Sequence, residues 1–445
     1  MEEAPPSQTV STKLERIAKR AREAPDMALR TLAHHIDVDW LKEAHRRTRK
    51  DGAKGVDGVS ADDYARDLDK NLRSLYERAK AGTYRAPPVR RVNIPKSDGR
   101  TRPIGIPTFE DKILQRAVAM VLEAVYEQEF LDCSYGFRPG RSTHDALKAL
   151  REATMSMRGG WILEVDIQRF FDTLDHAHLR EALARRIGDG SLIRYIGKWL
   201  NAGVMEGLEL QHPEAGTPQG GVISPILANI YLHEVLDRWF EREVKPRLKG
   251  RAELVRYADD FIIIFKREDD ARKVLDVLPK RFGKYGLTLH PVKTKLVRFT
   301  HSSSTSDKDD EGGNGGASSF DFLGFTHHWA RSGKGYWVVM LKTAKSRFSA
   351  AVKRIGDWCR RYRHTPVADQ CAVLTRKLRG HYNYFGVVGN ATALWRFGKA
   401  VYRTWRSWLN RRSQRARVTW ARMRKLEAHH PLPTPAVTKL RSLRA

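Results

Sequence analysis

Three aspartates at the ends of short apolar segments are the residues of this sequence best suited to chemistry. Asp259 and Asp260 stand side by side before the run FIII, the pattern of a β-hairpin whose turn carries two acids. Two like charges at the edge of an apolar sheet repel each other and need a counter-charge, which a divalent metal ion supplies. Asp166 ends the segment WILEVD in the same way. Three carboxylates on neighbouring strands fit a two-metal phosphoryl-transfer site, whereas an isolated Asp-Asp pair would be only a solvated turn.

The charge of the chain predicts a polyanionic partner. The 445 residues carry a net charge of +29, which is far more than solubility requires. Residues 341–445 alone contain 25 Lys or Arg residues, three acidic residues and five of the eleven tryptophans. A solvated basic surface over a tryptophan core is the alternative, but such a charge repels itself unless phosphates neutralise it.

Several classes of protein are not expected from the composition. The apolar run at residues 261–265 is too short to cross a bilayer, and the start MEEAPP does not have the pattern of a secretory signal. Cys133, Cys359 and Cys371 show no CxxC pairing, so neither a disulfide framework nor a cysteine-based zinc module is expected. A reducing cytosol is the expected location.

The elements that must position the carboxylates follow from periodicity. Alternation predicts a hairpin over residues 89–107, and an apolar stripe predicts one helix over residues 113–126. Strands are predicted at 161–167, at 254–265 with a turn, within 287–299 and at 320–325. Helices are predicted at 179–204, 224–240 and 271–285, and a polar Gly/Ser-rich flexible loop at 301–319. Beyond about residue 340 the pattern favours three basic helical segments, so the composition indicates an α+β body followed by a helical domain.

The blocks around these residues resemble those of reverse transcriptases. Residues 257–260 (YADD) are similar to the YxDD box of that family, and its other blocks occur in the expected order. They are GRTRPIGIP (99–107), SYGFRPGRSTHDAL (134–147), EVDIQRFFDTLDH (164–176), GTPQGGVISPILANIYLHEVLD (216–237), LTLHPVKTKLVRF (287–299) and FDFLGF (320–325). KGVDGVS (54–60) and KLRGHYNYFG (377–386) resemble, more specifically, bacterial group II intron-encoded reverse transcriptase/maturases. The resemblance spans residues 40 to 435.

The resemblance implies a metal-binding catalytic triad. Asp166, Asp259 and Asp260 correspond to the family's catalytic aspartates, and the backbone carbonyl of Ile167 is expected to help hold a metal ion. The implied cofactor is a pair of Mg²⁺ ions, for which Mn²⁺ is a substitute. Asp260 is expected to be the less direct ligand, because neighbours in a strand point to opposite faces.

The resemblance also implies a set of nucleotide-binding residues. Phe171 matches an aromatic residue that packs against the incoming sugar and excludes a 2′-hydroxyl, although one member of the pair of adjacent phenylalanines at 170 and 171 is expected to be core. Lys96 and Arg102 resemble the residues that grip the triphosphate, as a point charge and a bidentate fork respectively. Gln219 resembles the residue that contacts the sugar. Lys293 resembles a lysine near the leaving pyrophosphate and a candidate general acid, with Lys295 as its competitor.

The implied fold is a right hand. It is α+β, with fingers and palm built on an antiparallel palm sheet, followed by an all-helical thumb or maturase X domain. The expected domains are a basic lead (1–40), fingers and palm (41–335) with the insert 301–319, the helical domain (340–430) and a basic tail (431–445). Because no paired CxxC pattern follows, a form without the HNH endonuclease is expected.

The function that the resemblance implies is RNA-directed DNA polymerisation, combined with splicing assistance and intron mobility by target-primed reverse transcription. The expected partners are group II intron RNA, an RNA template/DNA primer duplex and dNTPs, without a membrane, and a homodimer is an open alternative to a monomer. The expected location is the bacterial cytoplasm, near the nucleoid. Three alternatives remain: a maturase with a decayed polymerase; a domesticated relative in phage defence, DNA repair or CRISPR adaptation; and an RNA-dependent RNA polymerase, which the aromatic gate disfavours.

Overall fold

The computed structural model describes residues 7–95, 101–206, 209–211, 220–301, 319–413 and 417–436. The α-helices in these ranges are α1 (Ser7–Glu23), α2 (Val38–Arg47), α3 (Ala61–Ala65), α4 (Leu68–Lys80), α5 (Phe109–Tyr126), α6 (Thr143–Ser156), α7 (Phe170–Thr173), α8 (His176–Ala184), α9 (Gly190–Leu200), α10 (Ser224–Leu232), α11 (Glu268–Gly283), α12 (Lys345–Arg361), α13 (Val367–Phe385), α14 (Ala391–Leu409) and α15 (Trp420–His429). The strands are β1 (Val89–Pro95), β2 (Thr101–Ile106), β3 (Gly160–Val165), β4 (Val204–Glu206), β5 (Glu209–Gln211), β6 (Ala252–Tyr257), β7 (Asp260–Phe265), β8 (Lys295–Phe299), β9 (Phe320–Phe322), β10 (Phe325–Arg331) and β11 (Trp337–Thr343). The α+β class is confirmed.

The chain forms two compact units. The first comprises residues 1–146 and 163–296, and the second comprises residues 147–162 and 297–445. One four-stranded sheet has the order β2-β1-β4-β5, a second has the order β6-β7-β3-β8, and a three-stranded sheet has the order β11-β10-β9. No helix among the described residues has both the length and the apolar character that crossing a bilayer requires.

Helix α5 is the buried centre of the first unit. Its existence is confirmed and every residue of the predicted apolar stripe is buried, but Asp111, Gln115, Ala119 and Met120 are buried as well, so α5 is covered around most of its circumference. Both α1 and α2 pack against it. Trp40 of α2 is fully buried and donates its indole N–H to the carbonyl of Ala117 at 3.0 Å. A helix covered on several sides must be apolar on several sides.

The predicted hairpin of residues 89–107 is confirmed. Strands β1 and β2 pair antiparallel from Arg90 opposite Ile106 to Pro95 opposite Thr101. β1 also pairs with β4, in the parallel sense. The predicted turn residue Lys96 lies outside the described residues, as do residues 302–318 of the predicted insert.

The single helix expected over residues 179–204 is wrong. The segment forms α8 and α9, and its end is strand β4. The break arises from tertiary contacts: Ile187 forms a parallel bridge with Leu29, and Gly188 donates to the carbonyl of Leu29 at 2.9 Å. Asp189 then caps α9 by accepting from Ser191 and Leu192. The periodicity of the segment could not indicate this break, because the bridge partner Leu29 lies outside the segment.

Two strands of the second unit were not expected. β10 pairs antiparallel with β11 from Phe325 opposite Thr343 to Arg331 opposite Trp337. The inward-facing residues of β10 are Phe325, His327 and Trp329, and all three are buried. The alternation is obscured in the sequence because a histidine occupies one inward position.

The three helical segments expected beyond residue 340 are confirmed as α12, α13 and α14, with α15 as a further helix. Their shared core is a set of buried side chains, of which the largest is Trp405. The indole of Trp405 donates to Gln370 at 2.9 Å. Thr419 caps α15 by accepting from Arg422. The tryptophans of this unit are therefore of two kinds: Trp405 is part of the core, whereas Trp395 and Trp420 are about half exposed at the surface (51% and 44%).

Candidate active site

A two-residue turn presents Asp259 at the end of a hairpin. Strands β6 and β7 pair antiparallel, with Tyr257 opposite Asp260, so that Ala258 and Asp259 form the turn. Ala258 has a φ of 57°, the positive value that tight two-residue hairpins require at a turn position. Asp260 is the first residue of β7 and is exposed, whereas the next five residues are buried. The predicted strand–turn–strand is confirmed, but the expectation that the turn carries both acids is wrong, because Asp260 already pairs as the first residue of β7.

Asp166 follows the end of β3, the strand that neighbours β7 in the sheet. Its backbone carbonyl accepts from the N–H of His290 at 2.8 Å, and Gln168 donates to the carbonyl of Thr288 at 2.8 Å. Ile167 forms an antiparallel bridge with Leu289 between these two bonds. The backbone of the aspartate is thus attached to the segment that carries the candidate lysines.

Lys293 is brought directly to Asp166. Its Nζ lies 2.9 Å from Oδ2 of Asp166, and both side chains are partly exposed. The segment turns back on itself because the N–H of Thr294 donates to the carbonyl of His290 at 2.9 Å. Lys295 instead begins strand β8 and is exposed.

The electrostatics of Asp259 show which charges surround it. Burial raises the pKa of its carboxyl above the ordinary value, Asp166 raises it further, and Arg102 and Arg256 oppose the rise. Two carboxylates that repel each other through space, with a backbone carbonyl at Ile167 nearby in sequence, form the all-oxygen donor set that Mg²⁺ prefers. In the described part of the chain, however, no three His, Cys, Asp or Glu residues gather closely enough to hold a metal ion. The structure therefore brings together the Asp166 and Asp259 charges and does not assemble a closed triad.

The nucleotide-binding candidates are placed unevenly. Phe170 is buried (2% exposed), which confirms that one of the two phenylalanines is core, and Phe171 is half-buried in contact with it. Arg102 lies in β2, opposite Ile94, within electrostatic reach of Asp259 in the Ala258–Asp259 turn. Gln219 lies outside the described residues.

A polar network around Asp111 and Gln115 of α5, which was not expected from the sequence, holds the backbone at Val222. The carboxylate of Asp111 accepts from the hydroxyl of Tyr84, from the indole of Trp199 at 2.8 Å and from the amide of Gln115 at 2.9 Å. The other end of the Gln115 amide accepts from the N–H of Val222 at 2.8 Å. The only signal in the sequence is a pair of polar residues four positions apart inside an apolar helix.

The same loop lies against the β1–β2 hairpin at a glycine. Gly220 has a φ of +116°, and a Cβ placed on it would lie 2.6 Å from Cγ2 of Ile104 and 2.7 Å from the carbonyl oxygen of Gly105. Only glycine fits here without moving a neighbour. Gly220 of the GTPQGG block therefore permits close packing of its backbone on β2.

The Asp111 network predicts a specific dependence of stability on pH. Burial raises the pKa of Asp111 to about 6 from its ordinary value of 3.8, so the folded chain binds more protons than the unfolded chain between these two values. The Asp111 contribution to the free energy of unfolding is therefore greatest below about pH 4 and falls by about 3 kcal/mol as the pH rises through about 6. Asn does not titrate, so the stability of Asp111→Asn relative to the original chain should rise by this amount from about pH 4 to about pH 7.

The measurement is urea unfolding followed by tryptophan fluorescence at several pH values. Asp276→Asn, at an exposed residue of α11, provides the matched control, because it makes the same chemical change at a position outside the network. A stability difference for Asp111→Asn that does not change with pH would contradict the prediction.

Phosphoryl-transfer enzymes typically have carboxylates at one edge of a sheet, with a lysine and an arginine close by. Comparison with known proteins makes this class specific. The profile of the reverse transcriptase (RNA-dependent DNA polymerase) family matches residues 94–327, which include Asp166, Asp259 and Lys293. The chain therefore belongs to the reverse transcriptase family.

Curated relatives agree with this assignment. The chain is 35% identical over 329 residues to Protein YkfC of Escherichia coli (strain K12), covering 64% of this chain and 84% of YkfC. It is 38% identical over 247 residues to the group II intron-encoded protein LtrA of Lactococcus lactis subsp. cremoris, covering 53% of this chain and 40% of LtrA. It is 28% identical over 467 aligned positions to an uncharacterized 91 kDa protein in a cob intron of Schizosaccharomyces pombe, covering 89% of this chain and 55% of that protein. The resemblance to group II intron-type reverse transcriptases and the expected RNA-directed DNA polymerase activity are confirmed.

Proposed function

We propose that this reverse transcriptase binds group II intron RNA, assists its splicing as a maturase and supports its mobility by target-primed reverse transcription. The observation that carries the proposal is the charge of residues 341–445, the part of the chain that follows the polymerase blocks, which contains 25 basic residues and only three acidic ones. Such an excess binds phosphates through release of counterions. The relative LtrA supports the same function, because it is a group II intron-encoded protein. The alignment covers 40% of the length of LtrA.

For DNA synthesis, we assign the metal-binding role to the carboxylates of Asp166, Asp259 and Asp260 and to the backbone carbonyl of Ile167. These oxygen donors fit two Mg²⁺ ions, or Mn²⁺ as a substitute, which when bound would neutralise charge on the attacking and leaving oxygens. The carboxylates of Asp166 and Asp259 are partly buried and that of Asp260 is exposed, and we assign to all three the role of holding cations and orienting the primer terminus.

The remaining candidates are assigned to the nucleotide. Arg102 and Lys96 of the hairpin hold the triphosphate, since a guanidinium forms paired hydrogen bonds with phosphate oxygens. Gln219 contacts the sugar, and its loop is held by Gln115 through Val222. The primer's 3′-hydroxyl loses its proton to water as its oxygen bonds to the α-phosphorus. The bond between that phosphorus and the oxygen that bridges to the β-phosphate breaks, and Lys293 gives a proton to the leaving pyrophosphate.

Phe171 is assigned the role of sugar gate, and its truncation gives a direct test. Because the ring is half-buried beside Phe170, it can pack against a bound sugar where a 2′-hydroxyl would otherwise fit. Phe171→Ala is expected to raise the ratio of rNTP to dNTP incorporation by about tenfold or more, mainly by improving kcat/KM for rNTPs. Single-nucleotide primer extension with matched rNTP and dNTP measures this ratio. The exposed Tyr336 supplies the control, as Tyr336→Ala should leave the ratio unchanged. Equal use of both nucleotides by the original enzyme would contradict the gate.

A basic and aromatic groove on the second unit is the best-defined place for RNA contact. It encloses about 410 Å³ and is lined by Trp395, Lys399, Arg403 and Trp420, among other residues. Residues 395, 399 and 403 lie on one face of α14 because they are four positions apart. The guanidinium of Arg406 stacks over the Trp420 ring at 4.0 Å. Exposed rings beside ammonium and guanidinium groups suit bases and phosphates of unpaired RNA.

Removal of the positive charges of Lys399 and Arg403, which line the groove together with Glu427, tests this surface. Lys399→Gln/Arg403→Gln is expected to raise Kd for the RNA about tenfold and to lower the slope of log Kd against log salt by about 1.5. Lys273→Gln/Lys280→Gln removes the same charge from exposed positions of α11 and should change Kd less. Fluorescence anisotropy of labelled RNA over a salt series measures both quantities. A pair of variants with equal Kd and equal slopes would contradict the groove.

The identity of the RNA tests the proposed function as a whole. The protein is expressed in its own host and cross-linked, and the bound RNA is sequenced. Recovery of one structured RNA that surrounds the protein's own reading frame is expected. Recovery of a small unrelated RNA, or of cellular RNA without preference, would contradict the maturase function and point to a domesticated polymerase.

The finer architecture belongs to the same proposal. We assign residues 41–335 to fingers and palm, with the insert 301–319, and residues 340–430 to the thumb or X domain, between a basic lead (1–40) and a basic tail (431–445). The proposed site of action is the bacterial cytoplasm and, during DNA copying, the nucleoid. A homodimer is the alternative to a monomer, and sedimentation of the RNA complex distinguishes them.

A further inference from the structure

Arg256 is a fully buried arginine two residues before the catalytic turn residue Ala258. The exposure of its side chain is 0%, yet each of its five N–H groups has an acceptor. Nε and Nη2 donate to the two oxygens of Asp237 at 2.7 and 2.6 Å, and Nη2 also donates to Oγ of Ser134 at 2.7 Å. Nη1 donates to Oδ1 of Asn229 and to the backbone carbonyl of Ala258, both at 3.0 Å. The guanidinium therefore binds the Ala258–Asp259 turn and two other segments, namely the segment of Ser134 and the helix that carries Asn229 and Asp237.

These segments also hold the turn without the guanidinium. Asn229 donates its amide to the carbonyl of Gly136 at 2.7 Å. A Cβ placed on Gly136 would lie 2.4 Å from the backbone nitrogen of Ala258, so the SYGF segment lies directly against the turn. The main chain of Arg256 pairs with the same segment, by accepting from Tyr135 and donating to Cys133. The turn is consequently held by its contacts with the segment of Cys133–Gly136 as well as by the pairing of β6 with β7.

The helix that supplies Asn229 and Asp237 is wound to bring both to Arg256. Residues Ser224–Leu232 are α-helical, and His233–Asp237 form a π-helical turn. Two α-helical turns contain about 7.2 residues, and one extra residue in a π turn extends this to about eight. Positions 229 and 237, eight apart, therefore face the same direction, which a regular α-helix would not provide.

The buried charges balance within this cluster. Asp237 is fully buried and is paired with Arg256. His233 lies 3.9 Å from Asp237, but burial lowers its pKa to about 4, so it is neutral near pH 7. Removal of Arg256 alone would leave a buried uncompensated carboxylate, which is strongly destabilising.

We propose that Arg256 is a positioning residue for DNA synthesis, which sets the geometry of the Ala258–Asp259 turn through its bond to the Ala258 carbonyl and its anchors on Asp237, Asn229 and Ser134. A lysine could not replace it, because an ammonium has three donors and lacks the planar fork that reaches five acceptors. This inference rests on the proposed metal-binding role of Asp259 and Asp260.

The test separates positioning from folding by removing both buried charges together. In Arg256→Met/Asp237→Leu, apolar side chains replace the ion pair, a change that commonly leaves stability near its original value. The expected result is a folded protein with Kd for the primer–template within about twofold of the original and kcat for primer extension lowered about tenfold to 100-fold. The Mg²⁺ concentration that gives half-maximal rate should rise several-fold, because the turn carboxylates are no longer held. Arg251→Met, at an exposed arginine next to β6, is the control and should change neither quantity.

A second variant decides the matter if the double variant does not fold. Asn229→Ala keeps the ion pair with Asp237 and removes the bonds to Nη1 and to the Gly136 carbonyl. Its kcat should fall about fivefold and its Mg²⁺ requirement should rise. Folded variants with the original kcat and Mg²⁺ dependence would overturn the inference. If Asp259→Ala also kept activity, the proposed metal site itself would fail; if only the Arg256 and Asn229 variants were unaffected, the positioning role alone would fail.

Discussion

Asp259→Ala is expected to lower the rate of DNA synthesis by about 1,000-fold or more while RNA binding stays at its original strength. The turn places this carboxylate within electrostatic reach of Asp166, and cations held by the proposed metal site would relieve the repulsion between the two. Loss of one proposed ligand would remove several kcal/mol of transition-state charge stabilisation, which corresponds to three or more powers of ten in rate. The basic groove of the second unit does not include this residue, so its affinity for RNA should not change.

Primer extension on an RNA template and anisotropy with intron RNA measure the two functions on one preparation. Asp276→Asn is the matched control, because it removes an acid from the exposed face of α11 and should keep both functions. A splicing assay on the same variant separates the two proposed functions: retained splicing without DNA synthesis shows that they are distinct. Full polymerase activity in Asp259→Ala would contradict the assignment of the catalytic turn.

The catalytic hairpin was predictable because its signal is local. Two apolar segments that flank an acidic pair predict a hairpin, and β6 and β7 pair in this way, with Tyr257 opposite Asp260. The hairpin β1–β2 is of the same kind. In both, the residues that form the element are adjacent in the chain, so periodicity and turn chemistry were sufficient.

The contacts that support the turn could not be predicted in this way, because their partners are distant in the sequence. Arg256 is joined to Ser134, which precedes it by 122 residues, and Gln115 is joined to Val222, 107 residues further on. Inside an apolar strand or helix a single arginine or glutamine has no periodic signature. The π turn at His233–Asp237 is likewise hidden, since one inserted residue leaves the apolar pattern nearly intact. The polar contacts of Arg256 and Gln115 can therefore be identified only from the structure.

The choice between Lys293 and Lys295 is another example, and it leads to a strong prediction. Sequence position allowed either lysine to serve as the general acid. In the structure Lys293 reaches Oδ2 of Asp166 at 2.9 Å, whereas Lys295 begins strand β8 and is exposed. Lys293→Ala is therefore expected to lower kcat for nucleotide addition about 100-fold, with a smaller change in KM for dNTP, and Lys295→Ala is expected to leave kcat within about twofold. Rapid-quench single-nucleotide addition measures both constants.

Substitution by arginine distinguishes proton transfer from simple charge. Lys293→Arg keeps the positive charge and an ion pair with Asp166, but a guanidinium does not lose its proton in proteins and so serves poorly as a general acid. If Lys293 donates the proton to pyrophosphate, Lys293→Arg should lose nearly as much kcat as Lys293→Ala. The reverse reaction should slow by a similar factor, because the same group must then accept the proton. Restoration of the rate by arginine would show instead that the lysine acts through its charge, by holding Asp166 and the triphosphate, and would contradict the acid assignment.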